Sequence, residues 1–311
     1  MKHRHIKIYT MRSLFFFLLL LCCSSNWAQQ FMPIWEVGKM PNSRGLELTD
    51  SIDGRLLRRV GTPGIYVFVP DTLQKKCPAV LITPSGGYEV LSYVSAFTVA
   101  EWYNRIGIAA FVLKYRLPQS PDVICSYKAP LQDAQRAMRL IYSMAENWSI
   151  DNCKIGVMGI SAGGHVASCL CTLQEDWAKV GDKLDTISFC PAFAILQSSV
   201  ISMTEYAHMV SCNTLLGHNH TKALAEKMSG QLHVSQNTPP TFLVHATDDG
   251  VVPPENSVMY YWALKEKNIK NCCLHTFPRG GHSLGIRKNP GTASFWPEMA
   301  KEWLKEIGIL K

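Results

Sequence analysis

The chain has 311 residues, of which 47% are hydrophobic and 18% are charged, a composition that is typical of a folded protein with a large core and excludes an intrinsically disordered chain. The formal net charge is +7, but four basic residues fall within the first twelve positions, and the charge without residues 1–28 is +3. The remaining sequence has no cluster of Lys and Arg with interleaved aromatic residues, so it predicts no nucleic-acid partner.

The N-terminal segment has the order of features that is typical of a secretory signal peptide. Four basic residues and no acidic one precede an unbroken apolar run over residues 14–21, and small and polar residues follow up to Ala28. This run is too short to cross a bilayer comfortably, so we predict no stable membrane span. We predict a signal peptide over residues 1–28 and an exported protein, periplasmic or extracellular. A lipid anchor at Cys22 or Cys23 is the alternative, although neither follows the small residue usual in lipoprotein signals.

Apolar runs and amphipathic stretches alternate along the rest of the chain. The patterns predict strands at 65–69, 80–83, 108–113, 154–158, 187–190, 242–245 and 274–277. They predict helices at 96–106, 130–145, from 164 onward, 260–267 and 295–307. Because such alternation is typical of βαβ units, we predict one mostly parallel sheet with helices on both faces and an antiparallel leading strand. The stretch 191–239 departs from the alternation and is richer in Ser, Thr, Asn, His and Met. We predict it to be a small lid inserted into a single α/β domain over residues 29–311.

The motif Gly159-Ile160-Ser161-Ala162-Gly163 lies between the predicted strand at 154–158 and the helix that begins at 164. In this context G-x-S-x-G is typical of a nucleophile elbow, a turn so tight that only small residues fit around the serine. The turn lifts the serine hydroxyl above the sheet edge. We therefore predict Ser161 to be a nucleophile and the backbone N–H of Ala162 to be one donor of an oxyanion hole.

A serine hydroxyl needs a base that accepts its proton and a carboxylate that orients this base. On this architecture the order along the chain is serine, acid, histidine. The predicted strand at 242–245 leads into Asp248 and Asp249, and the next strand leads into Gly280-Gly281-His282, so both polar clusters follow the carboxyl ends of adjacent strands. We predict His282 as the base. The two aspartates compete for the role of acid; the pattern Asp-x-x-Val-Pro favours Asp249, and the other is expected to cap a turn through local backbone amides.

The other histidines are weaker candidates for the base. His245 and His275 fall within predicted strands, and His165 follows the elbow in the predicted helix. His218-x-His220 in the lid has no carboxylate or cysteine partner nearby, and no paired C-x-x-C spacing occurs, so we predict no metal and no cofactor.

The loop Ser85-Gly86-Gly87-Tyr88 follows the predicted strand at 80–83, where a second oxyanion donor is expected. We assign this donor to Gly87, because a glycine lets the backbone approach a substrate closely; a β-turn without a catalytic part is the alternative. Tyr88 beside it is a candidate for stacking on a sugar ring, with coverage of the sheet edge as the alternative.

Several stretches together resemble the α/β-hydrolase esterases that are often grouped with acetylxylan and feruloyl esterases. They are PSGGYEVLSY, YRLP, PLQDAQRAMRLI, IGVMGISAGGHVAS, PPTFLVHATDDGVVPPENS and GGHSLGI, in matching order from about residue 78 to the C-terminus. The resemblance implies an α/β-hydrolase fold and the removal of acetyl or other small acyl groups from plant polysaccharides without a metal or cofactor. It implies the same assignments of Ser161, Asp249, His282, Gly87 and Ala162.

The same resemblance implies that Asp133 and Arg136 brace the fold. The first loop departs from the fuller H-G-G-G form of lipase relatives, with Ser85 where the histidine would stand, which disfavours a lipase. The expected partner is an acylated carbohydrate substrate such as acetylated xylan. A general short-chain carboxylesterase or lipase, a serine peptidase and a non-catalytic binding protein of the same fold remain the alternatives.

Overall fold

The structure, a computed structural model, describes residues 30–70, 75–282 and 284–311. The predicted signal peptide and the two cysteines of the alternative lipid anchor lie outside the described residues. In chain order the elements are β1 (Gln30–Pro33), β2 (Ser51–Asp53), β3 (Leu56–Arg59), β4 (Gly64–Phe68), β5 (Cys77–Thr83), α1 (Tyr93–Arg105), β6 (Ala109–Lys114), α2 (Ala129–Met144), β7 (Ile150–Ile160), α3 (Ala162–Thr172), β8 (Ala194–Gln197), α4 (Met209–Leu216), α5 (Lys222–Lys227), β9 (Thr241–Ala246), α6 (Glu255–Glu266), β10 (Cys273–Phe277) and α7 (Trp296–Glu306). Short 3₁₀ helices cover Lys183–Thr186, Gly230–Leu232 and Gly291–Phe295.

Eight strands form one sheet in the order β1-β4-β6-β5-β7-β8-β9-β10, and β2 and β3 form a separate hairpin. The pairs β1–β4 and β4–β6 are antiparallel, and every other neighbouring pair of this sheet is parallel. All residues of β5 and β6 are buried, because helices cover both faces of the sheet. The prediction of a mostly parallel sheet with an antiparallel leading strand is therefore confirmed.

The strands supply side chains to two hydrophobic cores, one on each face of the sheet. Along β5, Ala79 and Leu81 belong to the core that packs against α2, α3 and α6. Val80 and Ile82 belong to the core that packs against α1 and α7. This division follows from the alternation of side chains across a strand, and it confirms the prediction of helices on both faces.

The strand predicted at 187–190 is wrong. Residue 187 caps the 3₁₀ helix at Lys183–Thr186, and the next strand of the sheet is β8, which pairs with β7 and β9. The alternating pattern of residues 187–190 imitates a half-exposed strand, whereas β8 is buried along its whole length between two parallel strands. The predicted lid boundary at 191 is also too early, because β8 belongs to the sheet. Residues 198–239 lie between β8 and β9 and contain α4 and α5, and we take this stretch as the proposed insertion.

An ion-pair network joins the segment before β2 to α2. Asp133, which is fully buried, accepts hydrogen bonds from the guanidinium and the backbone N–H of Arg116 and from the indole N–H of Trp35. The guanidinium of Arg136 pairs with Asp182 and donates to the carbonyl of Ile34. Removal of one partner from a buried ion pair destabilises a protein, because the other charge is left buried and unpaired. These contacts therefore hold the segment between β1 and β2 against α2.

No helix in the described part of the chain is long and apolar enough to cross a membrane. The nine cysteines of the described residues are free thiols.

Candidate active site

The turn between β7 and α3 consists of Ser161 alone. Its backbone has φ 55° and ψ −122°, a conformation that L-residues rarely adopt and that costs free energy. The turn is held by the N–H of Ser161, which donates to the carbonyl of Gln197 on β8 at 3.1 Å. Ser161 is only 5% exposed. The strained turn places the serine at the carboxyl edge of the sheet, as predicted for a nucleophile elbow.

The glycines of the motif are required by close backbone approach. A Cβ atom on Gly163 would lie 2.0 Å from the carbonyl oxygen of Thr83 and 2.4 Å from that of Pro84. The hydroxyl of Thr83 donates to the carbonyl of Gly163 at 2.7 Å. These contacts hold the loop after β5 directly against the elbow.

This loop contains the predicted oxyanion donor. Gly86 has φ +138°, and a Cβ there would lie 1.9 Å from the carbonyl oxygen of Val90, so only glycine fits. Gly87 has φ +63°, and a Cβ there would make only ordinary contacts, at 3.9 Å, with the side chains of Glu89 and Val210. Ala162 is the first residue of α3, at a helix N-terminus that favours negative charge. The assignments of Gly87 and Ala162 as oxyanion donors remain predictions.

Ser161, His282 and Asp249 form one hydrogen-bonded chain. His282 Nε2 lies 2.8 Å from Ser161 Oγ, and His282 Nδ1 lies 2.8 Å from Asp249 Oδ2. Because a carboxylate only accepts, Nδ1 carries the proton and Nε2 is free to accept one from the serine hydroxyl. The Asp249 side chain is fully buried, and that of His282 is 22% exposed. The structure thus brings the three predicted triad residues together.

Four donors hold the carboxylate of Asp249. The amides of Val251 and Val252 donate to Oδ1 at 2.9 and 3.0 Å, and Oδ2 receives His282 Nδ1 at 2.8 Å and His245 Nε2 at 3.1 Å. Burial acts to raise the pKa of Asp249, but the hydrogen bonds from the two histidines and the two amides outweigh it and hold the pKa well below its usual range. Asp249 is therefore ionised at neutral pH and fixes the orientation of the His282 ring through its contact with Nδ1.

Asp248 has a different contact. It is exposed, and its Oδ1 accepts the backbone N–H of Gly281 at 2.7 Å. This bond ties the loop after β9 to the turn that precedes His282. The expectation of a cap on local amides is wrong, because Gly281 lies 33 positions away in sequence.

His245 is a buried contact of Asp249 that the sequence analysis treated as a strand residue. It lies in β9 with its ring fully buried, and its Nδ1 is 2.8 Å from the hydroxyl of Ser257 on α6. Its Nε2 lies 3.1 Å from both Asp249 Oδ2 and the carbonyl of Val252. Both acceptors require the proton on Nε2. The sequence signal that could have indicated this contact is the spacing of four residues between His245 and Asp249, because the chain turns back on itself after β9.

The prediction that Tyr88 stacks on a sugar ring is wrong for this structure. Its ring is 1% exposed, and its hydroxyl lies 2.7 Å from His165 Nδ1. His165 Nε2 lies 2.6 Å from the carbonyl of Met228. Burial lowers the pKa of His165 to about 4, although the bond to Met228 opposes this, so the ring is neutral with its proton on Nε2. Tyr88 therefore links the loop after β5 to α3 and, through His165, to the insertion.

A cavity of about 290 Å³ opens at the serine. Its described lining residues are Arg55, Ser85, Ser92, Ser95, Thr98, Val99, Ile160, Ser161, Gln197, His282, Gly285, Ile286 and Arg287. Hydroxyl groups and two guanidinium groups dominate the polar part of this lining. The arrangement places a serine hydroxyl against an imidazole nitrogen with a polar space beside them, which is the geometry that attack on an acyl group requires. Among the described residues there is no group of three or more His, Cys, Asp or Glu that could hold a metal ion.

Comparison with known proteins identifies a family and several relatives. The model of the BD-FAE family matches residues 65–264. Endo-1,4-beta-xylanase B of Butyrivibrio fibrisolvens is 36% identical over 229 residues, which are 72% of this chain and 35% of that protein. Acetylxylan esterase of Xylanibacter ruminicola is 30% identical over 254 residues, 80% of this chain and 48% of that protein. The chain thus spans about a third of the first relative and about half of the second.

A solved structure resembles the chain over nearly its whole length. The acetyl ester-xyloside bifunctional hydrolase from Caldicellulosiruptor lactoaceticus superposes with a TM-score of 0.79 at 34% identity, covering 91% of this chain and 98% of that one. This likeness shows that the two chains share a fold.

Proposed function

The chain belongs to the BD-FAE family, and we propose that it is a serine esterase that hydrolyses acyl esters, acetyl above all, on plant-type polysaccharides or oligosaccharides such as acetylated xylan. The names of an acetylxylan esterase and of an acetyl ester-xyloside hydrolase among its relatives support this substrate class. The observation that carries the proposal is the continuous hydrogen-bonded chain from Ser161 through His282 to Asp249.

In the first half of the reaction, Ser161 Oγ attacks the ester carbonyl and His282 Nε2 takes the hydroxyl proton. The carbonyl oxygen becomes negative, and the amides of Ala162 and Gly87 are proposed to donate to it. The ionised Asp249 stabilises the imidazolium that forms. The carbon–oxygen bond to the sugar then breaks, and the sugar hydroxyl leaves with the proton from His282.

In the second half, water attacks the acyl-Ser161 carbonyl and gives a proton to His282 Nε2. Collapse of the second oxyanion breaks the bond to Ser161, which takes the proton back, and releases the carboxylic acid. Both proton transfers use one imidazole, so the proposal requires no metal or cofactor.

We also propose that the protein is exported, with residues 1–28 as a cleaved signal peptide and a lipid anchor at Cys22 or Cys23 as the alternative. Support comes only from the basic and apolar order of those residues. Cell fractionation with N-terminal sequencing of the mature protein tests this: a start at residue 29 supports cleavage, and cytoplasmic retention of the uncut chain contradicts export.

The activity is tested by acetate release from acetylated xylo-oligosaccharides, measured beside hydrolysis of p-nitrophenyl acetate and butyrate. Wild type is compared with Ser161→Ala and with Ser143→Ala; Ser143 is an exposed residue of α2 whose hydroxyl donates to the carbonyl of Leu140. We expect sugar-ester turnover in wild type and the control, and loss by about 10³-fold or more in Ser161→Ala. Turnover of the nitrophenyl esters alone would refute the carbohydrate substrate and favour a general carboxylesterase. Full activity of Ser161→Ala would refute the mechanism.

A further inference from the structure

The cavity at Ser161 is larger than the acetyl group needs. Its volume is about 290 Å³, close to the lower end of small-molecule sites, about 300–1,000 Å³. Since Ser161 and His282 both line it, whatever fills the cavity is covalently joined to, or adjacent to, the ester under attack. The extra space therefore bears on which acylated sugar is accepted.

The charge of this cavity is positive. Arg55 comes from the turn between β2 and β3, and Arg287 comes from the loop after β10. No Asp or Glu is found among the described residues that line the cavity. Two arginines that line one cavity without a lining carboxylate favour an anionic ligand, because the planar fork of arginine pairs with a carboxylate in bidentate fashion.

The two arginines are not committed to strong internal pairs. Arg55 forms no hydrogen bond or ion pair with any residue that the structure describes. Arg287 has one ionic contact, Glu101 at 3.6 Å, and both side chains of that pair are more than half exposed. An exposed pair of this kind contributes about 0–1 kcal/mol, so Arg287 is available to a ligand.

Gln197 is a second, independent indication of a ligand. It is 4% exposed, lies at the end of β8 and lines the cavity, yet its side-chain amide forms no hydrogen bond within the described part of the chain. Because Gln197 lines the cavity, its amide faces the space that a substrate would occupy. Its own carbonyl accepts the N–H of Ser161, so the backbone fixes this amide beside the nucleophile, where a substrate would satisfy it.

We propose that the cavity is a subsite for a uronic acid residue of the acylated oligosaccharide, with Arg55 and Arg287 binding its carboxylate and Gln197 hydrogen-bonding a sugar hydroxyl. This proposal deepens the proposed function and rests on it. It makes the chain an esterase that prefers acyl groups close to an acidic sugar over those on a neutral backbone.

The test compares two acetylated xylo-oligosaccharides of equal length, one bearing a glucuronic acid substituent and one neutral. Wild type is expected to have the lower KM for the acidic substrate. Arg55→Gln and Arg287→Gln should each raise that KM by about three- to tenfold relative to the KM for the neutral substrate, as for a partly exposed charged hydrogen bond. The preference should also weaken with added salt.

Two further variants sharpen the test. Arg58→Gln is the matched control, because Arg58 lies in the same hairpin but pairs with Asp53 at 2.8 Å and does not line the cavity. It should leave both KM values unchanged. Glu101→Gln releases Arg287 from its ionic contact and should lower KM for the acidic substrate.

Binding by calorimetry to Ser161→Ala, with the deacetylated acidic and neutral oligosaccharides as probes, reads the subsite without catalysis. Tighter binding of the acidic probe that Arg55→Gln or Arg287→Gln abolishes supports the subsite. Equal KM values and equal binding of the two probes would overturn the subsite while acetate release still upheld the proposed function. Acetate release from neither substrate would instead overturn the proposed function, and the calorimetry would still decide the subsite. An acidic preference that survives in a double variant, Arg55→Gln with Arg287→Gln, would overturn the assignment to these arginines.

Discussion

Removal of the His245 imidazole isolates the support that holds the carboxylate of Asp249. His245→Leu takes away the Nε2–H donor at 3.1 Å from Asp249 Oδ2 and keeps an apolar side chain of moderate size. His245→Gln keeps an N–H donor on a chain of comparable reach. The pair therefore separates the loss of a donor from the loss of the ring.

The magnitude follows from the contacts of Asp249. A hydrogen bond to a charged group contributes about 1.5–3 kcal/mol, and three other donors remain on this carboxylate. Part of the lost energy falls on the transition state, because His282 becomes cationic there and Asp249 must face it. At about 1.4 kcal/mol for each factor of ten, we expect kcat to fall by about 10- to 100-fold in His245→Leu. KM should change little, because His245 does not line the cavity.

The protein should also lose stability, since the hydroxyl of Ser257 and the carbonyl of Val252 both lose a partner when the ring is removed. Each buried group left unsatisfied costs about 1–3 kcal/mol. His245→Gln should recover most of kcat.

The assay measures kcat and KM separately for the hydrolysis of p-nitrophenyl acetate. Urea melts first establish a temperature at which every variant is folded, and the kinetics are measured at that temperature. His275→Leu is the control, because His275 lies on the neighbouring strand β10, packs against the ring of Phe242 at a tilt of 36° and forms no hydrogen bond with Asp249 among the described residues. A folded His245→Leu with unchanged kcat would refute the reasoning, and so would a loss of kcat that His245→Gln fails to recover.

Three other predictions follow from the same geometry. Asp249→Asn should lower kcat by about 10³–10⁴-fold, by analogy with the buried triad acid of serine proteases. Asp248→Asn should lower kcat by no more than about tenfold, because Asp248 bonds to a backbone amide and not to the base. Equal losses of kcat in the two variants would contradict the choice of Asp249 as the acid. Gly163→Ala should lower the free energy of unfolding by about 1–3 kcal/mol and displace the loop after β5, since its Cβ would meet backbone oxygens. Gly250→Ala should do neither, because a Cβ on Gly250 has nothing within 4 Å. Denaturant melts of the two variants test this difference. Burial lowers the pKa of His165 to about 4 from an ordinary 6.5, so the unfolded chain binds more protons between these pH values and the free energy of unfolding should fall as pH drops through them. In urea melts at pH 4.5 and 7, the free energy of unfolding of His165→Asn should change less with pH than that of wild type. An equal change in both proteins would contradict the buried neutral ring.

The elements could be predicted wherever local pattern and tertiary environment agree. The apolar run of β5 and the amphipathic spacing of α2 carry their own periodicity, so both were located from the sequence. The alternating run at 187–190 has the period of a strand but lies outside the sheet, while β8 is buried along its whole length and has no alternation of exposure. Whether a short apolar run becomes a strand depends on which neighbours are available to pair with it.

What the sequence determined by itself about the candidate site is local. The glycines around Ser161 specify a tight turn in which the serine has a positive φ. The order of serine, acid and histidine along the chain marks the loops at one edge of a parallel sheet. These features are readable because they depend on backbone conformation within a few residues.

The tertiary structure decided everything that depends on distance between remote residues. Asp248 and Asp249 are adjacent in sequence, and only the path of the chain after β9 turns one toward His282 and the other toward Gly281. The burial of Tyr88 and the amide of Gln197 at the cavity arise in the same way from elements far apart in sequence. Hydrogen bonds and burial act over a few ångströms in space, so a one-dimensional pattern contains the partners but not their pairing.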